Sequence, residues 1–297
     1  MSRADLTAAP ERSALWTFGL LGSELTTVLR RGRTLALLGV LAAVPVLIGI
    51  AVRIETGDGS PAGPGGGGGP GGGGGPAFLS QVSHNGLFLV FAALSATLPV
   101  FLPMTVGVVA GDSVAGEANA GTLRYLLVAP AGRSRLLLTK YTSVLVFCLV
   151  ATLVVAVSGL VAGALLFPVG EVTTISGTRI GFGEGLLRAG LIALVVAVSL
   201  SGFAALGLFV STLTDSGIAA MAATVGVLIT AQIVDGIPQL DAVGPYLFPH
   251  LWMSFTDLLR APVYWDEIVR NLGVQAVYVA VFGSAAWARF TTKDITV

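Results

Sequence analysis

The chain has 297 residues, of which 54% are hydrophobic and only 11% charged, and its formal net charge is zero. Soluble globular domains carry about 25% charged residues, so this composition excludes an ordinary soluble domain and indicates a membrane protein. The single cysteine, Cys148, lies inside an apolar run. An intrachain disulfide is therefore excluded, and packing is the role expected of this thiol.

Residues 13–31 come first and are predicted to form an amphipathic helix in the inner membrane interface. Their apolar side chains recur at steps of three and four, whereas Glu24 and the arginines fall elsewhere; the apolar positions are Leu15, Phe18, Leu21, Leu25, Val28 and Leu29. A signal peptide is the alternative, suggested by "RRGRTLALLG". The apolar run is long for such a signal, and no A-x-A cleavage site directly follows it.

Six stretches are apolar and long enough for a helix to cross the hydrocarbon, which takes about 20 residues. The predicted spans are residues 34–54, 86–111, 139–167, 188–213, 216–236 and 269–288. Only Asp215 separates the fourth span from the fifth, and its setting in "STLTDSG" is typical of a tight turn. The sequence therefore predicts an all-α membrane protein, a single transmembrane domain over residues 1–297, with both termini on one side.

Two longer connections are assigned to the outer side. Residues 55–78 contain two pentaglycine runs punctuated by proline, which is typical of a flexible tether. Residues 237–268 are too polar to cross the membrane, and three prolines divide them into short pieces. We expect an interfacial or partly re-entrant helical segment there, with an ordinary exposed loop as the alternative.

The distribution of charge orients the chain. With the termini inside, the inner segments hold eleven of the sixteen Lys and Arg residues and seven of the sixteen Asp and Glu residues. Basic residues concentrate on the cytoplasmic side of membrane proteins. The N- and C-termini are therefore predicted to be cytoplasmic, as is the connection between the second and third spans.

Motifs for chemistry are missing from the sequence. The apolar runs at the centre of these spans contain no Asp, Glu, Lys or Arg of the kind that ion-coupled carriers place there; the runs cover residues 34–52, 86–111, 141–170, 189–214, 216–234 and 271–288. Neither H-E-x-x-H nor G-x-S-x-G with a partner histidine occurs, and the glycine-rich loop lacks the lysine of a phosphate-binding loop. His84 and His250 provide no metal-ligand spacing. We expect a protein that is not an enzyme.

Two features of the spans suggest how helices bend and pack. Pro99 and Pro103 lie four residues apart in the second span, where each is expected to remove a helical hydrogen bond, giving a hinge or a static kink. "GVVAG" (107–111) and "GLVAG" (159–163) match G-x-x-x-G, which permits close helix approach. Forty glycines make such matches common by chance.

The stretch "EANAGTLRYLLVAPAGRSRLLLTK", residues 117–140, lies between the second and third spans. Its leucines form a short apolar patch beside Arg124, and Pro130 and Gly132 precede a basic strip. A partner subunit could hold such a helix in a groove, or the strip could serve only as a juxtamembrane topology signal. Asp112 and Glu117, beside this strip, are expected on a solvated face.

The pattern E-x-x-x-G-T-L-x-x-L-L from Glu117, followed by a proline and by "GRSRLLLTKY" entering the third span, resembles the permease subunits of type-2 ABC transporters. The similarity extends to the interfacial helix, the six spans, the outer segment and the ending "ARFTTKDI". Within that family the chain looks most like the permeases of bacterial efflux systems.

This resemblance implies that residues 112–138 form a cytoplasmic loop that couples the permease to a separate ATP-binding subunit. The expected contact residues are Glu117, Gly121, Thr122, Leu123, Arg124, Leu126 and Leu127. Gly121 is expected at a close approach or a turn, Thr122 as a helix cap, and Glu117 as a residue that orients or caps the loop.

The resemblance also implies the partners of the chain. They are an ABC ATPase that binds ATP and Mg, a second permease copy in a homodimer, and the lipid of the plasma membrane. No cofactor, metal or nucleic acid is expected on this chain. An alternative function is an ABC-type membrane component that serves cofactor or metalloenzyme maturation or assembly rather than drug or lipid efflux.

Overall fold

The computed structural model describes residues 14–57, 82, 85–121, 132–170, 172–173 and 178–292. Within these ranges the α-helices are α1 (Ala14–Arg30), α2 (Gly32–Gly57), α3 (Phe88–Thr97), α4 (Phe101–Asn119), α5 (Arg133–Leu166), α6 (Phe182–Ser199), α7 (Ser201–Leu213), α8 (Gly217–Asp235) and α9 (Asp266–Thr292). Two short antiparallel strands, β1 (Val172–Thr173) and β2 (Arg179–Ile180), pair Val172 with Ile180. The predicted loop over residues 55–78 lies almost entirely outside the described residues.

The described helices are long and apolar enough for a membrane-embedded protein, which confirms the predicted helical class. Five of them qualify individually as spans, with α6 and α7 counted as one continuous stretch, and the bent pair α3–α4 brings the number to as many as six. In lipid only a helix or a closed barrel satisfies every backbone amide and carbonyl internally. The apolar runs of the sequence therefore appear as helices.

The helices on either side of the predicted coupling loop are longer than the sequence suggested. The loop was predicted over residues 112–138, but α4 continues to Asn119 and α5 already begins at Arg133. The apolar run ends at Asp112, but the helix continues beyond it. Charged residues continue a helix readily when they find partners, as those of α4 do.

The second span is broken, and α3 and α4 meet at an angle of 54°. Pro99 lies in the break, whereas Pro103 occupies the first turn of α4. The expectation that both prolines remove a helical hydrogen bond is wrong for Pro103, because amides in the first turn have no acceptor within their own helix. The bend thus centres on Pro99, whose carbonyl oxygen accepts a hydrogen bond from the side-chain amide of Gln232 on α8.

Both G-x-x-x-G matches lie at helix contacts. A Cβ at Gly111 would come within 2.9 Å of the Met221 backbone on α8, and one at Gly159 within 3.1 Å of the Val90 Cα on α3. A Cβ at Gly163 would overlap the carbonyl oxygen of Gly86. The absence of side chains at these positions is what allows α4 to approach α8, and α5 to approach α3, this closely.

The fourth span is interrupted at Leu200, and buried polar groups satisfy the interruption. The carbonyl of Ser199 accepts a hydrogen bond from the Trp252 indole at 2.9 Å, and the carbonyl of Ser201 accepts one from the Tyr141 hydroxyl at 3.2 Å. The Ser199 hydroxyl accepts a further bond from Asn271 at 2.7 Å. Freed backbone carbonyls within a span need such partners because lipid offers none.

The connection between α8 and α9 is a packed helical segment, so the exposed-loop alternative is wrong. It contains 3₁₀ turns at Pro238–Leu240, Gly244–Tyr246 and Trp252–Leu259. Phe248, Trp252 and Phe255 are buried in it, and the Phe248 ring stacks on Phe203 of α7. These three aromatic side chains thus belong to the protein core.

Two further expectations about local structure, for Asp215 and Cys148, are confirmed. Asp215 lies in a tight reversal between α7 and α8, where the Thr214 hydroxyl accepts from the Ser216 amide and the Ser216 side chain caps α8. Cys148 is completely buried among core side chains such as Phe147, in keeping with a packing role.

Substituting Gly163 by alanine should lower the free energy of unfolding by about 1–3 kcal/mol, because the new methyl group forces α5 away from Gly86. Gly226→Ala on α8 is the matched control, since nothing lies within 4 Å of its added Cβ. It should leave stability unchanged or raise it by up to about 1 kcal/mol. Unfolding of both variants in detergent micelles measures the difference, and equal stabilities would contradict this contact.

Candidate functional site

Six charged side chains converge where α1, α2, α4 and α5 meet, and we call this group the charge cluster: Glu24, Arg31, Arg33, Asp112, Glu117 and Lys140. The Oδ2 atom of Asp112 accepts hydrogen bonds from Arg31 Nη1 at 2.8 Å and from Arg33 Nη2 at 2.5 Å. Three carboxylates thus face three cations, and the charge cluster as a whole is neutral.

Lys140 forms the second half of the charge cluster. Its Nζ lies 2.5 Å from Glu117 Oε1 and 3.4 Å from Glu24 Oε1. Only 2% of the Lys140 side chain is exposed, and only 14% of the Glu117 side chain. An unpaired ammonium at this depth would be costly to desolvate, so the two carboxylates are what allow Lys140 to remain charged inside the protein.

The expectation that Asp112 and Glu117 lie on a solvated face is wrong. The side chain of Asp112 is 12% exposed, and Glu117 is covered in the same way. The physical reason is tertiary, because α1 packs along α5 and closes over the residues that end α4. The carboxylates are thereby turned toward cations of neighbouring helices.

The amphipathic character of α1 is confirmed, with one correction. Leu21, Leu25, Val28 and Leu29 are all half-buried, as the spacing predicted. Glu24 lies on this same half-buried face and reaches Lys140, although the apolar pattern alone assigns it to the polar face. The Glu24 carboxylate can lie among apolar side chains here because the Lys140 ammonium of α5 lies 3.4 Å from it.

The charge cluster encloses only a small cavity, of about 30 Å³, which is also lined by Thr27, Thr34 and Ser143. One or two water molecules fill such a volume, so an organic substrate does not fit. The charge cluster is therefore suited to joining helices, and its cavity is too small for a substrate. No group of three His, Cys, Asp or Glu side chains within the described residues is placed to hold a metal ion.

A second set of contacts joins the first turn of α5 to the last turn of α9. Arg133 Nη1 donates to the carbonyl oxygen of Thr291 at 2.9 Å, and the Trp287 indole donates to the Ser134 hydroxyl at 2.8 Å. A cation is favourable at the negative end of the helix dipole. Arg133, which the sequence placed in a basic strip facing the lipid headgroups, therefore contacts the protein's own helix end.

An apolar cluster supports these contacts. It comprises Val114 of α4, Leu136 and Leu137 of α5, Leu208 of α7, and Ala286 and Phe290 of α9. Four helices are thus packed together at the end of the bundle from which the 122–131 segment departs.

Gly121 follows α4 with a φ of +68°, a left-handed conformation that residues other than glycine adopt only at a cost. Among the described residues, nothing lies within 4 Å of the Cβ that it lacks. A turn, one of the two roles expected for this glycine, is therefore observed. The chain changes direction here, between the charge cluster and the segment beyond it.

The structure thus places only two of the predicted coupling residues. Glu117 belongs to the charge cluster and Gly121 to the turn, while Thr122, Leu123, Arg124, Leu126 and Leu127 lie outside the described residues. The sequence analysis did not predict that the members of the charge cluster contact one another. One feature of the sequence could have indicated these contacts: residues of opposite charge lie at the ends of four apolar segments, all on the predicted cytoplasmic side of the membrane.

The fold and the charge cluster define a helical, membrane-embedded protein whose helix ends are joined by buried and partly buried ion pairs. The chain belongs to the family DUF2705, described as a protein of unknown function, whose model matches residues 76–296. No curated protein matches the sequence. The matched region begins after α2, so it includes Asp112, Glu117 and Lys140 but not Glu24, Arg31 or Arg33.

Replacing Lys140 by methionine should lower the free energy of unfolding by about 3–5 kcal/mol, because Glu24 and Glu117 then lose the cation that both carboxylates contact. The double variant Glu117→Gln, Lys140→Met removes one of these carboxylates and should recover part of the loss. Arg30→Met, at the exposed end of α1, is the control and should change stability by less than about 0.5 kcal/mol. Equal unfolding midpoints for Lys140→Met and the control would show that the ion pair does not stabilise the fold.

Gly121→Ala should cost about 1–2 kcal/mol of folding free energy, since alanine resists positive φ. Gly121→Asn should cost less, because asparagine visits that region more readily. Thermal unfolding of the two variants tests the order. A Gly121→Ala protein as stable as Gly121→Asn would show that the turn relaxes without strain.

Proposed function

We propose that this chain is the membrane subunit of an ATP-driven ABC exporter, coupled through the 122–131 segment to a separate ATP-binding subunit. One observation carries the proposal. Both helices that flank this segment are fixed to the bundle by buried contacts, α4 through Glu117 and α5 through Lys140 and Arg133. The segment therefore starts from rigid supports, as a surface that receives force from a partner requires.

The contacts also suggest how a movement of the segment would spread. The ion pair of Glu117 with Lys140 joins α4 to α5, and Glu24 adds α1 to this unit. Arg133 connects the same helix end to α9, and the glycine face of α4 packs closely on α8. A displacement imposed between residues 121 and 132 would act on these helices together rather than on one alone.

The proposed topology has six spans, with α3–α4 as one bent span, both termini in the cytoplasm, and the chain in the plasma membrane. The ion pairs support it, because the first turn of α2, the last turns of α4 and the first turns of α5 lie at one end of the bundle. The excess of Lys and Arg in the corresponding segments favours the cytoplasm for that end.

The remaining parts of the proposal come from the resemblance. The partner ATPase would bind ATP and Mg, and a second copy of this chain would complete the translocation path as a homodimer. Leu123 and Leu126 would be the apolar anchors on the ATPase, and Arg124 would pair with an acidic group there. The chain itself would neither bind nor hydrolyse ATP.

The double variant Leu123→Ala, Leu126→Ala should weaken binding of the ATP-binding subunit while leaving the permease folded. A buried interface anchor contributes about 2 kcal/mol, which corresponds to roughly 30-fold in Kd for each leucine. The measurement is a pull-down of the ABC ATPase encoded nearest to this chain, normalised to membrane-inserted permease, together with ATP-dependent export.

Leu138→Ala is the matched control, because this leucine lies on α5 with 64% of its surface exposed and is not an expected anchor. It should retain the ATPase fully. Equal recovery with the double variant, and undiminished export, would reduce the segment to a topological loop. Two results together would instead favour the maturation function. The ATPase would bind as predicted without being stimulated by any compound, and a metalloenzyme of the host would lose activity when the permease is impaired.

A further inference from the structure

A second cavity lies at the other end of α8 from the charge cluster. Its volume is about 250 Å³, and it opens between the break of the second span, the last turn of α8 and the Pro249–Met253 stretch. Its apolar lining includes Leu98, Pro249 and Met253. Small-molecule sites usually occupy about 300–1,000 Å³, so this cavity suits a small ligand or one headgroup.

Among the described residues that line this cavity, the polar side chains present more acceptors than donors. Gln232 donates one N–H of its side-chain amide to the Pro99 carbonyl, which leaves its Oε1 as an acceptor and one N–H as a donor. His250 Nδ1 lies 2.6 Å from Asp235 Oδ1. In its neutral form the imidazole donates there through Nδ1–H and keeps Nε2 as an acceptor. The indole N–H of Trp252 is spent on the Ser199 carbonyl.

The electrostatics of this cavity favour a cation. Asp235 is the last residue of α8, where the negative end of the helix dipole disfavours a carboxylate unless a positive charge is near. The described residues that line the cavity include neither Lys nor Arg. The Asp235 side chain lines the cavity and is 26% exposed.

The geometry points to a binding site for a primary ammonium group with a short apolar tail. Such a group carries one positive charge and three N–H donors, which match Asp235 Oδ2, Gln232 Oε1 and His250 Nε2, while its tail lies against Leu98 and Met253. The same chemistry is offered by a soluble alkylamine and by the headgroup of phosphatidylethanolamine. This site requires neither ATP nor a partner subunit.

The test is isothermal titration of the full chain in phosphatidylglycerol–phosphatidylcholine nanodiscs with n-butylammonium and with n-butyltrimethylammonium. The second ion has the same tail and charge but no N–H group. Saturable binding of n-butylammonium, at least about tenfold tighter than its trimethyl analogue, is expected because hydrogen bonds to a charged group are the strong ones. Absent or equal binding of the two ions to the wild-type chain would overturn the proposal, even if variants failed to fold.

Asp235→Asn keeps the shape of the side chain and should weaken n-butylammonium binding at least about tenfold. Asp241→Asn is the matched control, since Asp241 is an exposed carboxylate six residues further on that does not line the cavity. It should bind as the wild type does. Undiminished binding by a monodisperse Asp235→Asn protein would refute the role of Asp235 as counter-ion.

Native mass spectrometry after exchange into nanodiscs containing phosphatidylethanolamine distinguishes the two sources. A phosphatidylethanolamine molecule retained by the wild type, lost from Asp235→Asn and displaced by n-butylammonium identifies the lipid headgroup as the occupant. Binding of n-butylammonium without retention of that lipid identifies a soluble amine.

Discussion

The buried ammonium of Lys140 constrains the packing of this protein more than any other single group that we describe. It lies within 3.4 Å of carboxylates from α1 and α4, so three helices must keep the register that brings them to one point. A shift of either carboxylate would leave a charge buried without a partner, which is far more costly than the loss of an apolar contact. Asp112 with Arg31 and Arg33 extends the same constraint to α2.

Interruptions in two spans place further polar contacts inside the bundle. At the breaks near Pro99 and Leu200, backbone carbonyls accept hydrogen bonds from side chains that are distant in the sequence. Gln232 donates to the Pro99 carbonyl at the first break and thereby connects the bent span to α8, next to the proposed ammonium-binding cavity. The departures from regular helix thus create the polar surfaces that a continuous helix would lack.

The two ends have different physical characters, and this difference supports separate roles. At the charge cluster the ionic groups are mutually neutralised and enclose about 30 Å³, which is suited to a rigid joint. At the opposite end the acceptors exceed the donors around about 250 Å³, which is suited to a ligand. Helix α4 lines the cavity of the charge cluster, α8 lines the second cavity, and the two helices pack closely at Gly111. They therefore form a direct mechanical connection between the proposed coupling segment and the proposed ligand site.

The sequence by itself determined the helical membrane class, the approximate spans, the reversal at Asp215 and the close contacts at the G-x-x-x-G pairs, because hydrophobic runs and glycine spacing act locally along the chain. Only the tertiary structure decided which charges meet. Lys140 is 116 residues from Glu24 and Asp112 is 81 residues from Arg31, and no periodicity connects such distant positions. Glu24 shows the reason most clearly: its place on the apolar face of α1 is unfavourable alone and becomes favourable when α5 brings a cation to it.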